Sequence, residues 1–283
     1  MKTQQTGAIT NIDELFEAVG ANDKTLTRAE KDSLDRQGFL IVPGLLDKKW
    51  LEQLRAAFEQ LLEEHEKENG QHARQTTGTR HVPISLAPGQ IFEDVYTHPK
   101  LLAAVRHILG DDLRFGGIHG RDPLPGFGQQ GLHSDAPPRQ PGSPYLVVTS
   151  LWALDDFTIK NGATRLVPGT HTETGLPPKE TRQPNYNHPG QIFAVAPAGS
   201  AIIFNGHLWH SGTQNNSQEP RRTLQCVHIA PGYPYYTSIG QNVPEGVGPA
   251  ARYLMTVNEI AEQQKEYWNN YQQAKGKPGK SEN

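Results

Sequence analysis

Apolar residues recur at two different periods along this chain, and the change from one to the other divides it. In residues 12–19, Leu15, Phe16 and Val19 follow a helical spacing after Asn11, a residue suited to capping a helix start. Residues 27–37 read as a second short helix closed by Gly38, and Phe39-Leu40-Ile41-Val42 then reads as a strand stopped by Pro43-Gly44. The clearest helix spans residues 47–67, with Trp50, Leu51, Leu54, Phe58, Leu61 and Leu62 on one side and charges on the other. Residues 99–109 form another, ended by Gly110.

From Leu113 onward the period shortens. Residues 113–119, 145–154, 163–167, 191–195, 200–204 and 223–229 are short apolar runs that read as strands, many separated by Pro-Gly, Asn-Gly or Asn-Asn. Strand after strand without long intervening helices favours an antiparallel barrel or jelly roll over a parallel sheet. The expectation is one mainly β domain over residues 1–283. It has a mainly helical part at 1–110, a jelly-roll core at 111–232 and a C-terminal segment at 233–283, where residues 257–283 read as a polar helix fraying into a tail.

Composition narrows the function classes. Hydrophobic residues make up 35% of the 283 and charged residues 20%, enough for a packed core without a membrane phase. The net charge of -3 provides no global field for nucleic acid or acidic lipid, so neither is expected as a partner. No run approaches the ~18 apolar residues of a membrane span, and residues 1–10 lack the order of a signal peptide. The single cysteine, Cys226, allows no internal disulfide, so a cytoplasmic setting is expected, and its apolar surroundings read as an inert core thiol.

His133-Ser134-Asp135 is the first candidate for chemistry. On extended backbone, residues i and i+2 share a face, so an imidazole and a carboxylate can grip one ion. The tripeptide by itself reads equally as a turn Asp bonded to its neighbours. A facial triad of two His and one carboxylate needs a third ligand and leaves iron positions open. Gly206-His207-Leu208-Trp209-His210-Ser211-Gly212 offers it. Two histidines three apart on a strand face opposite ways, so His210 is taken as the ligand and His207 as a hydrogen-bonded loop residue. His171-Thr172-Glu173 is a rival pair, expected at the barrel rim after the turn Pro168-Gly169-Thr170. In Pro220-Arg221-Arg222, a guanidinium fork could clamp the distal end of a dicarboxylate, with Arg221 opening the strand next to His210; a solvated Arg pair is the plainer alternative.

Taken in order, these motifs resemble the phytanoyl-CoA dioxygenase family of Fe(II)/2-oxoglutarate oxygenases over residues 39–229. Residues 38–46 are similar to its opening strand and turn, and 98–110 to the helix ahead of the barrel. His133-x-Asp135 matches the metal dipeptide, and residues 161–171 the central signature, with Thr170 where Ser is usual. Gly199-Ser200 stands where Gly-Asp is frequent, and Trp209-His210-Ser211-Gly212 through Arg221 matches the distal ligand and the oxoglutarate arginine.

The resemblance implies a double-stranded β-helix, cupin-like, with N-terminal helices packed outside. It also implies Fe(II) on His133, Asp135 and His210, with 2-oxoglutarate and O2 as cosubstrates. It assigns Arg221, rather than Arg222, to the oxoglutarate 5-carboxylate, and Gln130 (or less readily Gln129) and Thr164 to the same cosubstrate. The implied reaction is hydroxylation, desaturation, epoxidation or rearrangement of a small organic molecule, such as a natural-product intermediate, with release of succinate and CO2. Asp135 argues against halogenation, since halogenating relatives carry a small residue there. Residues 71–86, 121–127, 173–188 and 232–247 read as loops around the pocket. Arg80, His81, Arg121 and Tyr233 are candidate substrate contacts, each with a surface or turn role as the alternative. Two other classes compete: a cupin-type metal isomerase or lyase, and an inactive small-molecule binder. A monomer or a homodimer is expected.

Overall fold

The computed structural model describes residues 8–69, 78–84, 86, 91–230, 233 and 243–256. Helix α1 (Ile12–Val19) starts where the Asn11 side chain accepts the Glu14 N–H. Helix α2 (Arg28–Gln37) carries a full capping box between Thr27 and Glu30 and ends on Gly38, whose φ of 83° suits only glycine well. The chain passes directly into strand β1 (Phe39–Val42) and then helix α3 (Lys48–Asn69). Strand β2 (Thr79–Pro83), helix α4 (Glu93–Tyr96) and helix α5 (Pro99–Leu109), with proline in its first turn, complete the N-terminal part.

The remaining strands are β3 (Arg114–Pro123), β4 (Val147–Ala153), β5 (Arg165–Leu166), β6 (Ile192–Phe193), β7 (Ala201–Asn205), β8 (His210–Ser211) and β9 (Thr223–Ile229), followed by helix α6 (Pro249–Met255). Six strands pair antiparallel in the order β1-β7-β4-β9-β3-β2, and three more in the order β6-β5-β8. An isolated bridge between His133 and His210 extends the smaller sheet. The larger and smaller sheets form the jelly roll that the strand pattern predicts.

Alternation along the larger sheet sorts its side chains into two cores. Leu40, Ile118, Trp152, Ile203, Leu224 and Cys226 face outward and are covered by the helices, including Leu54 and Phe58 of α3. Gly120 makes this cover possible, because a Cβ there would lie 2.6 Å from the Phe58 ring. Phe39, Leu151, Ala153, Ile202 and Phe204 face inward and meet Phe157, Ala163, Leu166 and Leu208. Cys226 is fully buried on the outward face, and burial pushes its thiol above the ordinary range, as expected of an inert core thiol.

Three expectations need correction. Residues 79–83 are a strand and not loop; only Val82 is apolar and fully buried there, so no hydrophobic alternation announced it. Strand β9 does not lie beside β8: β8 pairs with β5 and β9 with β3 and β4, so Arg221 reaches the site from the other sheet. His171 is not at the rim but 1% exposed, with Nε2 donating to the Asp35 carbonyl at 3.2 Å. It packs so tightly under Gly38 that a Cβ there would sit 2.4 Å from its ring. The expected helix at 257–283, most of 71–78 and most of 232–242 lie outside the described residues. Among the described residues, no helix is long and apolar enough to cross a membrane.

Candidate metal centre

His133 and Asp135 are held by backbone bonds to the neighbourhood of the third candidate. His133 N–H donates to the His210 carbonyl at 3.0 Å and His210 N–H returns to His133 at 2.9 Å, while Asp135 and Ala136 both donate to the Gly206 carbonyl. This pairing brings the two imidazoles to a centroid distance of 4.5 Å. Each Nδ1 faces a carbonyl oxygen, Gly131 at 3.0 Å for His133 and Leu208 at 2.8 Å for His210. A carbonyl can only accept, so Nδ1 carries the proton in both rings and Nε2 keeps its lone pair.

The two Nε2 atoms converge on the same carboxylate oxygen. Asp135 Oδ1 is 4.0 Å from His133 Nε2 and 3.6 Å from His210 Nε2, and the three donor atoms lie within 4.8 Å of one another. Asp135 Oδ2 accepts from Thr149 Oγ at 2.6 Å, which turns Oδ1 toward the histidines. The His210 ring is the more enclosed, 7% exposed and packed on Phe204; that of His133, 39% exposed, faces the opening.

Electrostatics suit a cation. Burial works against the Asp135 carboxylate, but His210, His133 and the Thr149 hydroxyl outweigh it and keep it ionised well below the usual carboxylate range. Burial, reinforced by His210, depresses His133 to about 4, so this ring is neutral at pH 7. Burial acts on His210 in the same sense, yet the Asp135 charge prevails and raises it. The same attraction favours any cation in the gap between the three groups, so a metal ion would compete there with protons.

Thr149 is the second support of the carboxylate. Thr149→Val keeps the shape of the strand residue but removes the hydroxyl, and metal affinity is expected to fall about 10–100-fold. Calorimetric Fe(II) or Co(II) titration measures this, with thermal unfolding as the control for the fold.

The cavity beside the three groups is lined by Gln130, Thr164, Leu151, Phe204, Arg121 and Arg221. Arg221 is 6% exposed, its guanidinium lies 5.1 Å from the Phe157 ring centroid, and its buried Nε has no hydrogen-bond partner among the described residues. Burial first and Arg121 next lower it to about 10, with Asp122 opposing, so it remains a buried cation at pH 7. Arg222 differs: it bonds Asp155 through Nε at 2.8 Å and Nη2 at 2.7 Å, and Glu59 through Nη1 at 2.7 Å. Of the pair, Arg221 is the one turned toward the cavity. A buried guanidinium with an unmet nitrogen is costly unless an anion meets it, so the residues present suit an acidic ligand in this cavity.

The model of the family described as phytanoyl-CoA dioxygenase (PhyH) matches residues 34–223. This chain belongs to the phytanoyl-CoA dioxygenase family. Similar family relatives include the dioxygenase trt7 of Aspergillus terreus, 31% identical over 62% of this chain and 64% of its own length. The Fe(II)/2-oxoglutarate-dependent dioxygenase nvfF of Aspergillus novofumigatus is 31% identical over 49% of this chain and 47% of its own. The chain thus spans less than two thirds of the length of these curated relatives. The fold is similar to HygX of Streptomyces hygroscopicus, solved with nickel, 2-oxoglutarate and hygromycin B, at TM-score 0.58 and 20% identity over 72% of this chain and 88% of that one. It is also similar to EctD from S. alaskensis with bound Fe, at TM-score 0.60 and 19% identity over 74% and 79%.

The other candidates separate cleanly. Gln130 accepts the Gly212 N–H at 3.1 Å and Thr164 is buried, both in the cavity wall. Register places His81 opposite Arg121 and Arg80 opposite Asp122, on alternate faces of β2 and β3. Arg80 is ion-paired to Asp122 on the face away from the cavity, whereas Arg121 lines the cavity. Tyr233 donates to the Asp135 carbonyl at 3.4 Å. His207 bonds Asn205 Oδ1 through Nδ1 at 3.2 Å and stays outside the cluster. Glu173 is exposed and joins His171 in no cluster among the described residues.

Sequence reasoning missed Thr149 and gave Arg165 no role of its own. Arg165 braces the wall by donating to Ser211 Oγ at 2.6 Å, to the Gln130 carbonyl at 3.0 Å and to the Tyr186 carbonyl. Its place in the Asn161–His171 signature was the available signal. Thr149, a hydroxyl in an apolar strand, gave none.

Proposed function

We propose that this member of the phytanoyl-CoA dioxygenase family is an Fe(II)- and 2-oxoglutarate-dependent dioxygenase acting on a small organic substrate. His133, Asp135 and His210 would hold the iron, and Arg221, with Thr164 and Gln130, the cosubstrate. The observation that carries this reading is the buried Arg221 guanidinium, whose Nε has no partner among the described residues, in the same cavity as the three convergent donors. A cupin-type isomerase or lyase has no use for such a cation, and it needs a fourth protein ligand. The cluster among the described residues has three.

When bound, iron with 2-oxoglutarate and O2 supplies the oxidising power to break an unactivated C–H bond, leaving succinate and CO2. The protein's share is positional. His133 and His210 present neutral nitrogens, Asp135 adds one negative charge, and Thr149 fixes which oxygen faces the metal. Three protein ligands on one side leave the opposite side for small molecules. Arg221 orients the diacid from the far end, and Leu151 and Phe204 line the cavity with apolar surface that excludes water. The solved neighbour holding hygromycin B supports a natural-product-sized substrate. Hydroxylation is the outcome proposed, with desaturation the nearest variant.

The test is turnover with Fe(II), ascorbate and a substrate panel. Succinate should form only with O2 and 2-oxoglutarate present, in equal amount to oxidised product. Product without succinate would contradict the proposal.

A further inference from the structure

Residues 128–131 bring Gln130 to the cavity wall and lead into His133, yet they lie in no strand. Their hold on the end of β8 is short. Gln130 N–H donates to the Gly212 carbonyl at 3.0 Å, and its side chain accepts the Gly212 N–H at 3.1 Å. Two glycines allow this segment its close neighbours. A Cβ on Gly212 would lie 2.6 Å from the Gly128 carbonyl oxygen, and one on Gly131 would lie 1.8 Å from that of Arg182. Gln129 adds to the second contact, its Nε2 donating to the Pro184 carbonyl at 2.9 Å and to Asn185 Oδ1 at 3.1 Å.

Arg165 occupies the corner where these pieces meet. It stands opposite Ser211 in the β5–β8 pairing, beside the Leu166–His210 pair, and is 3% exposed. Its guanidinium reaches three segments at once. Nε donates to Ser211 Oγ at 2.6 Å, Nη2 to the Gln130 carbonyl at 3.0 Å, and Nη1 to the Tyr186 carbonyl. A planar fork with fixed N–H directions holds such partners at set distances, which a flexible ammonium does not. Ser211 follows the candidate ligand His210, and Gln130 precedes Gly131, whose carbonyl accepts from His133 Nδ1. Thr164 lines the cavity and Arg165 does not, so Arg165 acts on the site through its partners. We infer that Arg165 is a positioning residue: its guanidinium sets the spacing of the 130–133 segment from β8, and its bond to the 182–186 segment locks that spacing. The assignment rests on the dioxygenase reading above for what the spacing serves, the seating of the metal and of 2-oxoglutarate.

The experiment compares the whole chain carrying Arg165→Met or Arg165→Lys with the parent. Amide hydrogen exchange is read by mass spectrometry on the metal-free chains. 2-Oxoglutarate is then titrated anaerobically into the Fe(II)-loaded ones and followed by the visible charge-transfer band. Arg165→Met should speed exchange about tenfold or more in residues 128–133 and 209–212 as well as in 182–191, with β4 and β9 unchanged. Its affinity for 2-oxoglutarate should fall about tenfold or more and its band should shift, while one iron per chain is retained. Arg165→Lys keeps the charge and part of the reach, so it should recover part of both losses. Gly131→Ala disturbs the same corner without touching the charge. Its methyl must displace the Arg182 carbonyl, and the same regions should exchange faster.

Faster exchange confined to 182–191, with an unchanged band, would overturn the assignment, since Arg165 would then merely fasten that segment. So would faster exchange throughout β4 and β9, the mark of general destabilisation. A parent chain that gives no band with 2-oxoglutarate would sink the dioxygenase reading and this one with it. A normal parent band that Arg165→Met leaves unchanged sinks only the role of Arg165.

Discussion

Arg221→Ala lowers 2-oxoglutarate affinity by about 100-fold or more, while Fe(II) affinity changes by less than about threefold. Arg221 is 6% exposed and its Nε has no partner among the described residues, so in the complex it would meet the distal carboxylate in a site shielded from water. Truncating one side of a buried, hydrogen-bonded charge pair costs roughly 2–5 kcal/mol, and each 1.4 kcal/mol is about tenfold in affinity. The metal donors come from other segments, the His133–Asp135 stretch and β8, so they keep their arrangement. Arg222→Ala serves as the contrast. Its partners are Asp155 and Glu59, and its loss should lower the unfolding temperature with little effect on the cosubstrate. Calorimetry of the metal-loaded variants checks both. Equal weakening of Fe(II) and 2-oxoglutarate in Arg221→Ala would mean that the arginine supports the fold of the site instead of the diacid.

His210→Ala abolishes stoichiometric Fe(II) binding and, with it, detectable 2-oxoglutarate binding. With three protein donors, removal of one leaves two and forfeits the fixed geometry that selects the metal. His210 is also the most enclosed of the three, with its ring on Phe204 and its backbone bridged to His133, so water replaces it poorly. His207→Ala is the control: His207 lies two residues from Asn205, to which it is bonded, and outside the donor cluster, so its loss should leave metal stoichiometry intact. Elemental analysis after gel filtration measures the ratio of iron to chain. An Fe(II) content in His210→Ala equal to that of the parent would remove His210 from the metal centre.

How much of this was legible in the sequence depended on whether a signal was local. Helices α1, α2, α3 and α5 and strands β1 and β9 were readable because caps, glycine stops and an apolar face lie within each segment. His133 and Asp135 were paired by strand alternation alone. His210 needed its motif, because the chain crosses from β7 in one sheet to β8 in the other between Asn205 and His210, and no local period records that crossing. Strand β2 was hidden for a related reason: its inward positions are the polar residues Thr79, which lines the cavity, and His81, so the alternation that marks a half-buried strand never develops. The same alternation sends Arg80 and His81 to opposite faces, which only the β2–β3 pairing reveals. Burial of His171 was likewise unreadable, since its cover is the α2–β1 corner more than a hundred residues earlier.

Three distant donors and a buried arginine acting on one cavity can be tested in a single cuvette. Under anaerobic conditions, Fe(II) is titrated into the purified chain and 2-oxoglutarate is then added. The account predicts one tightly held iron per chain and, on addition of 2-oxoglutarate, a weak visible charge-transfer band that saturates at one equivalent. A chain that holds its iron and develops no such band would contradict it.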